Sequence, residues 1–128
     1  MGPGSLHDTV NHIIAAMRVW TDVLVGREVR PRLEGTRRTL TELEQLAAAA
    51  ATEFAAVAKA HPMDEIVVRE RGGKKFPSTR GAVITQVTTH GMHHRAQCLN
   101  MLRHVGVTPL PMSSVIEWAR FVDGKDLA

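Results

Sequence analysis

Residues 88–97 read TTHGMHHRAQ, and this stretch says most about the architecture. It lies inside a long helix predicted over about Thr79 to Val105, which Gly106 closes. His90 and His94 are four residues apart, so their side chains lie one above the other on one helical face. The same face carries apolar residues and is therefore predicted to point inward; they are Val83, Val87, Cys98, Met101 and Val105.

The pair His90 and His94 has two interpretations. Two imidazoles at this spacing can share one metal ion, and Gly91 makes room beside them. Alternatively, they are core or half-exposed histidines that hydrogen-bond to the backbone or to water. A third ligand must come from elsewhere, and the best candidate is His12 in the predicted first helix. Asp8, one turn before His12, either accepts the other ring N–H of that histidine or simply favours the N-terminus of its helix.

No second catalytic group stands out in the sequence. Gln86 and Gln97 lie one turn from the histidine pair and are either ordinary polar positions or hydrogen-bonding groups of a pocket. Arg95 is predicted to be an outward, solvated side chain, the alternative being attraction of an anionic substrate. Cys98 is predicted to be a small buried hydrophobe rather than a thiol near a metal. The remaining histidines are predicted to be surface or structural residues, namely His7, His61, His93 and His104.

Helical patterns account for most of the rest of the chain. The first helix begins at the N-cap Ser5, where Asp8 makes an approximate capping box, and it ends at Gly26. A second helix is predicted from about Thr36 to Ala60, with an apolar seam in steps of three and four. Around Gly72 two short extended runs indicate a small hairpin. A short last helix is predicted from residue 113 or 114 to about residue 121.

These elements predict an all-α fold, an up-down helical bundle with a small β-hairpin before the last long helix, in one domain spanning residues 1–128. The connections are long enough for either parallel or antiparallel neighbours, so the helix directions stay open. The chain has three long helices, and the first is apolar on two stripes. A homodimer is therefore predicted, the alternative being that the short last helix folds back over the uncovered surface.

Composition excludes several classes. Of the 128 residues, 44% are hydrophobic and 23% charged, which is typical of a globular domain. No apolar run is long enough to cross a membrane, and no signal peptide is visible, so a cytoplasmic protein with no membrane partner is expected. The net charge of +3 comes from basic residues scattered among acids, apart from a local cluster at Arg69 to Lys75, so no nucleic-acid partner is expected. The only cysteine is Cys98, which excludes an internal disulfide and a cysteine-based zinc finger.

Two segments carry a resemblance to a known family. SLHDTVNHII at residues 5–14, followed by Trp20 and Gly26, and HGMHHRAQ at residues 90–97 resemble the DinB/YfiT-like metalloprotein superfamily. The second segment is similar to its H-x-x-x-H-R-G-Q signature, with Ala96 where the family often has Gly. The resemblance implies a DinB-like four-helix-bundle domain whose metal ligands are His12, His90 and His94. Relative to that family, we expect the chain to lack the first bundle helix. Either the sequence starts at an internal methionine, or it has been trimmed, or another chain supplies this helix.

The resemblance also implies a function. Three neutral imidazoles suit a divalent metal ion, with zinc or nickel favoured, and leave a coordination position open. The family includes metal-dependent transferases that use low-molecular-weight thiols, so thiol transfer or metal-assisted hydrolysis of a small-molecule substrate is expected. The alternative is a non-catalytic metal-binding module or a structural dimerisation module.

Overall fold

The computed structural model of the protein describes residues 4–114 and 116. In chain order the elements are α1 (Leu6–Val25), α2 (Leu40–Lys59), β1 (Ile66–Arg71), β2 (Lys74–Thr79) and α3 (Arg80–His104). The predicted all-α fold, with one small hairpin before the last long helix, is confirmed. The short last helix predicted to end near residue 121 lies almost wholly outside the described residues.

Both ends of α1 are as the sequence predicts. The Ser5 hydroxyl accepts a hydrogen bond from the Asp8 amide, and the Asp8 carboxylate accepts one from the Ser5 amide, which completes the capping box. At the other end Gly26 adopts φ 79°, a left-handed conformation that glycine takes without a steric penalty.

The start of α2 was predicted too early. The helix begins at Leu40 rather than at Thr36, because Thr39 is its N-cap and Glu42 completes a capping box there. The first apolar residue of the predicted seam, Leu40, is therefore also the first residue of the helix.

The hairpin leads directly into α3. Strands β1 and β2 are antiparallel, with Arg71 opposite Lys74, and the turn between them has positive φ at both Gly72 and Gly73. Val67 anchors the hairpin in the apolar cluster between α1 and α3. Thr79 ends β2 and is also the N-cap of α3, so the position of the hairpin fixes where α3 begins.

Helix α1 lies between α2 and α3, and the three do not all alternate in direction. Leu24 and Val83 share one apolar cluster while His12 contacts His90, so α3 runs antiparallel to α1. Ile14 in the first half of α1 shares a cluster with Leu43 near the start of α2. Leu24 near the end of α1 shares another cluster with Val57 near the end of α2, so these two helices run parallel. The connection between them, residues 26–39, must therefore run back along α1.

A buried carboxylate ties this returning connection to α1. Asp22 is completely buried, and its carboxylate accepts hydrogen bonds from the Arg27 side chain and from the backbone and side chain of Arg30. Both arginines also pair with Glu53 on α2. Burial alone would raise the pKa of Asp22, but the hydrogen bonds from Arg30 and Arg27 outweigh it, and the net pKa lies below the ordinary value.

We expect Asp22→Asn to lower the free energy of unfolding by about 3 kcal/mol at neutral pH, because it leaves two arginines facing a neutral group. Since the pKa of Asp22 is lower in the folded than in the unfolded state, its stabilisation is fully present above about pH 4 and is lost as the pH falls through the folded-state value. The difference between the two proteins should therefore shrink on acidification. Urea unfolding at several pH values measures it, with Glu44→Gln on the exposed side of α2 as the control. A difference independent of pH would contradict this account.

The homodimer stays a prediction. Both apolar stripes of α1 are largely covered within the chain, since Ala15, Val19 and Val23 of one and Ile14 and Leu24 of the other are buried. An almost entirely apolar groove of about 420 Å3 remains open between the first turns of α1, the start of α2 and the end of α3. Light scattering at micromolar concentration should give about twice 14.1 kDa, whereas a concentration-independent monomer mass would contradict the prediction.

None of the described helices is long and apolar enough to cross a bilayer.

Candidate metal centre

The antiparallel packing of α1 and α3 brings the three predicted ligands together. His12 comes from α1, His90 and His94 come from adjacent turns of α3, and one ring nitrogen of each lies within 4.8 Å of the others. The Nε2 atoms of His12 and His90 are 3.1 Å apart. Two nitrogens bound to one tetrahedral zinc at about 2.05 Å are themselves about 3.3 Å apart. The cluster is therefore compatible with a metal ion shared by the three rings.

Two of the three rings are oriented by an outer partner. The Nδ1 of His12 is 3.2 Å from a Glu34 carboxylate oxygen, and the Nδ1 of His94 is 2.7 Å from the Gln97 side-chain oxygen. Both oxygens can only accept, so in each neutral ring Nδ1 carries the proton and Nε2 keeps its lone pair. An N–H donated to an oxygen outside the site is the usual arrangement of a metal-binding histidine.

The partner of His12 is Glu34 and not Asp8. Asp8 is occupied by the capping box and by the His7 ring, so its role at the helix N-terminus is the confirmed alternative. Glu34 reaches His12 from the connection between α1 and α2, 22 residues along the chain. No sequence signal marks that contact, because it depends on the connection running back along α1.

Glu34 is held in its charged form. The Arg32 guanidinium donates two hydrogen bonds to it, and these lower the pKa of Glu34 to about 2 although partial burial opposes the shift. The carboxylate is therefore ionised at neutral pH, and an ionised acceptor strengthens the hydrogen bond from the His12 ring.

The environment of His90 favours a neutral imidazole. Burial lowers the pKa of His90, and the neighbouring His94, His12 and His93 lower it further because adjacent positive charges repel. His94 is buried while His12 and His90 are half-buried, so the cluster lies close to the surface. A neutral ring is the form that binds a metal.

The other four histidines have surface or structural roles, as predicted. The His7 ring accepts a hydrogen bond from the Arg38 amide and joins α1 to the start of α2. His61 is exposed and lies 3.3 Å from Glu65, and His104 is exposed in the last turn of α3. His93 follows another face of α3, where it is exposed and lies 3.4 Å from the Gln97 side chain.

Three further residues of α3 were candidates for a role near the histidines, and none of them belongs to the cluster. Cys98 is buried and lines the apolar groove, burial raises the pKa of its thiol, and it is not part of the histidine cluster. Gln86 is an exposed position of α3. Arg95 is not an outward, solvated side chain: it is half-buried and donates to the backbone carbonyls of Met112 and Ser113, so it holds the chain that follows α3.

Comparison with known proteins agrees with the sequence motifs. The model of the DinB family matches residues 2–122, nearly the whole chain. No curated protein and no solved structure matches. The match covers both histidine segments and the hairpin between α2 and α3, in the order that the resemblance to the DinB/YfiT-like superfamily requires. The chain therefore belongs to the DinB family.

Proposed function

We propose that the chain is a divalent-metal-dependent enzyme that transfers a low-molecular-weight thiol or hydrolyses a small-molecule substrate. His12, His90 and His94 would hold the ion, with zinc or nickel favoured. The observation that carries the proposal is the convergence of three imidazole nitrogens within 4.8 Å, with no carboxylate or thiol of the described residues completing the group.

The donor set favours reactivity over a purely structural role. Structural zinc sites have four protein ligands, whereas catalytic sites have three and keep a position for water or substrate. A divalent ion with such a position lowers the pKa of a thiol or a water molecule toward neutrality, which supplies a nucleophile. Neutral imidazoles leave the charge of the ion undiminished, and this strengthens the effect.

Residues of the chain support this role. Glu34 and Gln97 hold the rings of His12 and His94 with Nε2 toward the cluster, so little reorganisation is needed to form the site. The half-burial of His12 and His90 leaves the edge of the cluster in contact with solvent.

Cobalt substitution tests the proposal. We expect the visible absorption of cobalt-loaded protein to change when a small thiol or azide is added, because either ligand enters the open position. The same titration of the His104→Ala variant should give the same response, since His104 is exposed in the last turn of α3 and is not in the cluster. An unchanged spectrum with both ligands, together with four or more protein ligands to the ion, would indicate the non-catalytic metal-binding module instead.

A further inference from the structure

The two faces of the β-hairpin differ in charge. Side chains alternate along a strand, so Val67, Arg69 and Arg71 of β1 share one face, on which Lys74 lies opposite Arg71. We call Arg69, Arg71 and Lys74 the basic face. On the other face Glu70 lies opposite Lys75, and their charged groups are 3.6 Å apart. A cross-strand pair of opposite charges is therefore present on the face of Glu70 and Lys75, and not on the basic face.

The central side chain of the basic face is held in place without an acidic partner. The Arg69 guanidinium lies over the Trp20 ring, 4.8 Å from its centroid. Among the described residues no carboxylate forms an ion pair with any of the three basic side chains. Like charges directly opposite each other, as at Arg71 and Lys74, destabilise a hairpin.

The surroundings of Arg69 disfavour its positive charge. Its partial burial, and then the nearby charges of Arg71 and Arg32, all lower the pKa of this guanidinium. A bound anion would relieve the repulsion and replace the lost hydration, which makes the location suitable for an oxyanion.

The basic face lies within reach of the histidine cluster. Trp20 follows His12 by eight residues of the same helix, which corresponds to about 12 Å along α1. Arg32 connects the two regions, because its charge acts on Arg69 while its guanidinium pairs with Glu34, the partner of His12.

We propose that the basic face, with Arg69 stacked on Trp20, binds a carboxylate or phosphate group of the small molecule that reacts at the histidine cluster. The substrate class of the proposed enzyme is therefore anionic. This inference rests on the proposed function for the identity of the molecule, but the anion site itself stands on the hairpin alone.

The first experiment tests the anion site without metal. In a Trp118→Phe background Trp20 is the only tryptophan, and its fluorescence reports on the adjacent Arg69. Titration with inorganic phosphate or succinate should give a saturable change, whereas chloride at equal ionic strength should not. The double variant R71Q/K74Q should bind about tenfold more weakly, because two charge-assisted contacts are lost. The control K59Q/K75Q removes the same charge elsewhere and should bind as the parent protein does. An equal response to chloride, or equal weakening in the control, overturns the site.

The second experiment tests the link to the metal centre. Cobalt-loaded protein is titrated with glutathione and with its diethyl ester, which lacks both carboxylates. Glutathione should bind about tenfold more tightly, and R71Q/K74Q should abolish that preference. Equal binding of the two thiols overturns the link. If neither thiol changes the spectrum while phosphate still binds saturably to metal-free protein, the proposed thiol transfer fails and the anion site is supported by itself.

Discussion

Replacing His94 with alanine should reduce the metal content of the purified protein from close to one ion per chain to nearly none. His94 is the buried member of the cluster, and its Nδ1 is engaged by Gln97. The centroid of its ring lies 4.8 Å from that of His12 and 4.5 Å from that of His90. Two remaining imidazoles form too weak a site to retain an ion through purification. Elemental analysis of protein prepared without a chelator measures the content.

The matched control is His104→Ala, in the last turn of the same helix. His104 is exposed and outside the cluster, so its loss should leave the metal content unchanged. Glu34→Gln should fall between the two, with an affinity about 10- to 100-fold lower, because the His12 ring loses its charged acceptor. An ion at 100 times its dissociation constant stabilises the folded state by about 2.7 kcal/mol, so zinc should raise the melting temperature of the parent protein and of His104→Ala, raise that of Glu34→Gln less, and leave that of His94→Ala unchanged. Equal metal content in His94→Ala and the parent protein would refute the ligand assignment.

Local sequence patterns predicted the parts of the fold that depend on local interactions. The capping box at Ser5 and the end of the helix at Gly26 involve residues no more than four positions apart, and both are present. The same holds for His90 and His94, whose shared face follows from helical periodicity. His12 was placed at the site by its resemblance to a family motif, since helical spacing alone cannot connect residues 78 positions apart.

What the sequence did not predict depends on the path of the chain. Glu34 is one of two acids in a connection, and it reaches His12 only because that connection runs back along a parallel helix pair. The seam of α2 predicts a packed face for either direction of the helix, so the direction could not be deduced from it. No local pattern marks Arg80 at the start of α3, because the acceptors of its guanidinium are 15, 23 and 56 residues away along the chain.

Replacing Arg80 with leucine should lower the free energy of unfolding by about 3 kcal/mol, as large a loss of stability as we expect from Asp22→Asn. Arg80 is 1% exposed. Its guanidinium donates to the Leu24 carbonyl in the last turn of α1, to the Val57 carbonyl in the last turn of α2, and to the Glu65 carboxylate. One cation therefore binds the negative ends of two parallel helices at the point where α3 begins.

Loss of the hydrogen bonds to the two backbone carbonyls should cost more stability than loss of the ion pair with Glu65. Glu65 is partly exposed and can be rehydrated, whereas the carbonyls would lose a buried donor. Arg80→Lys should recover only part of the stability, because a compact ammonium cannot span the three separated acceptors that the planar guanidinium reaches. Lys75→Leu removes an exposed cation and should change stability by less than about 0.5 kcal/mol. Urea denaturation of the four proteins decides the matter: if lysine restored full stability, charge alone would explain the role of Arg80, and its hydrogen bonds to the two helix ends would contribute nothing measurable.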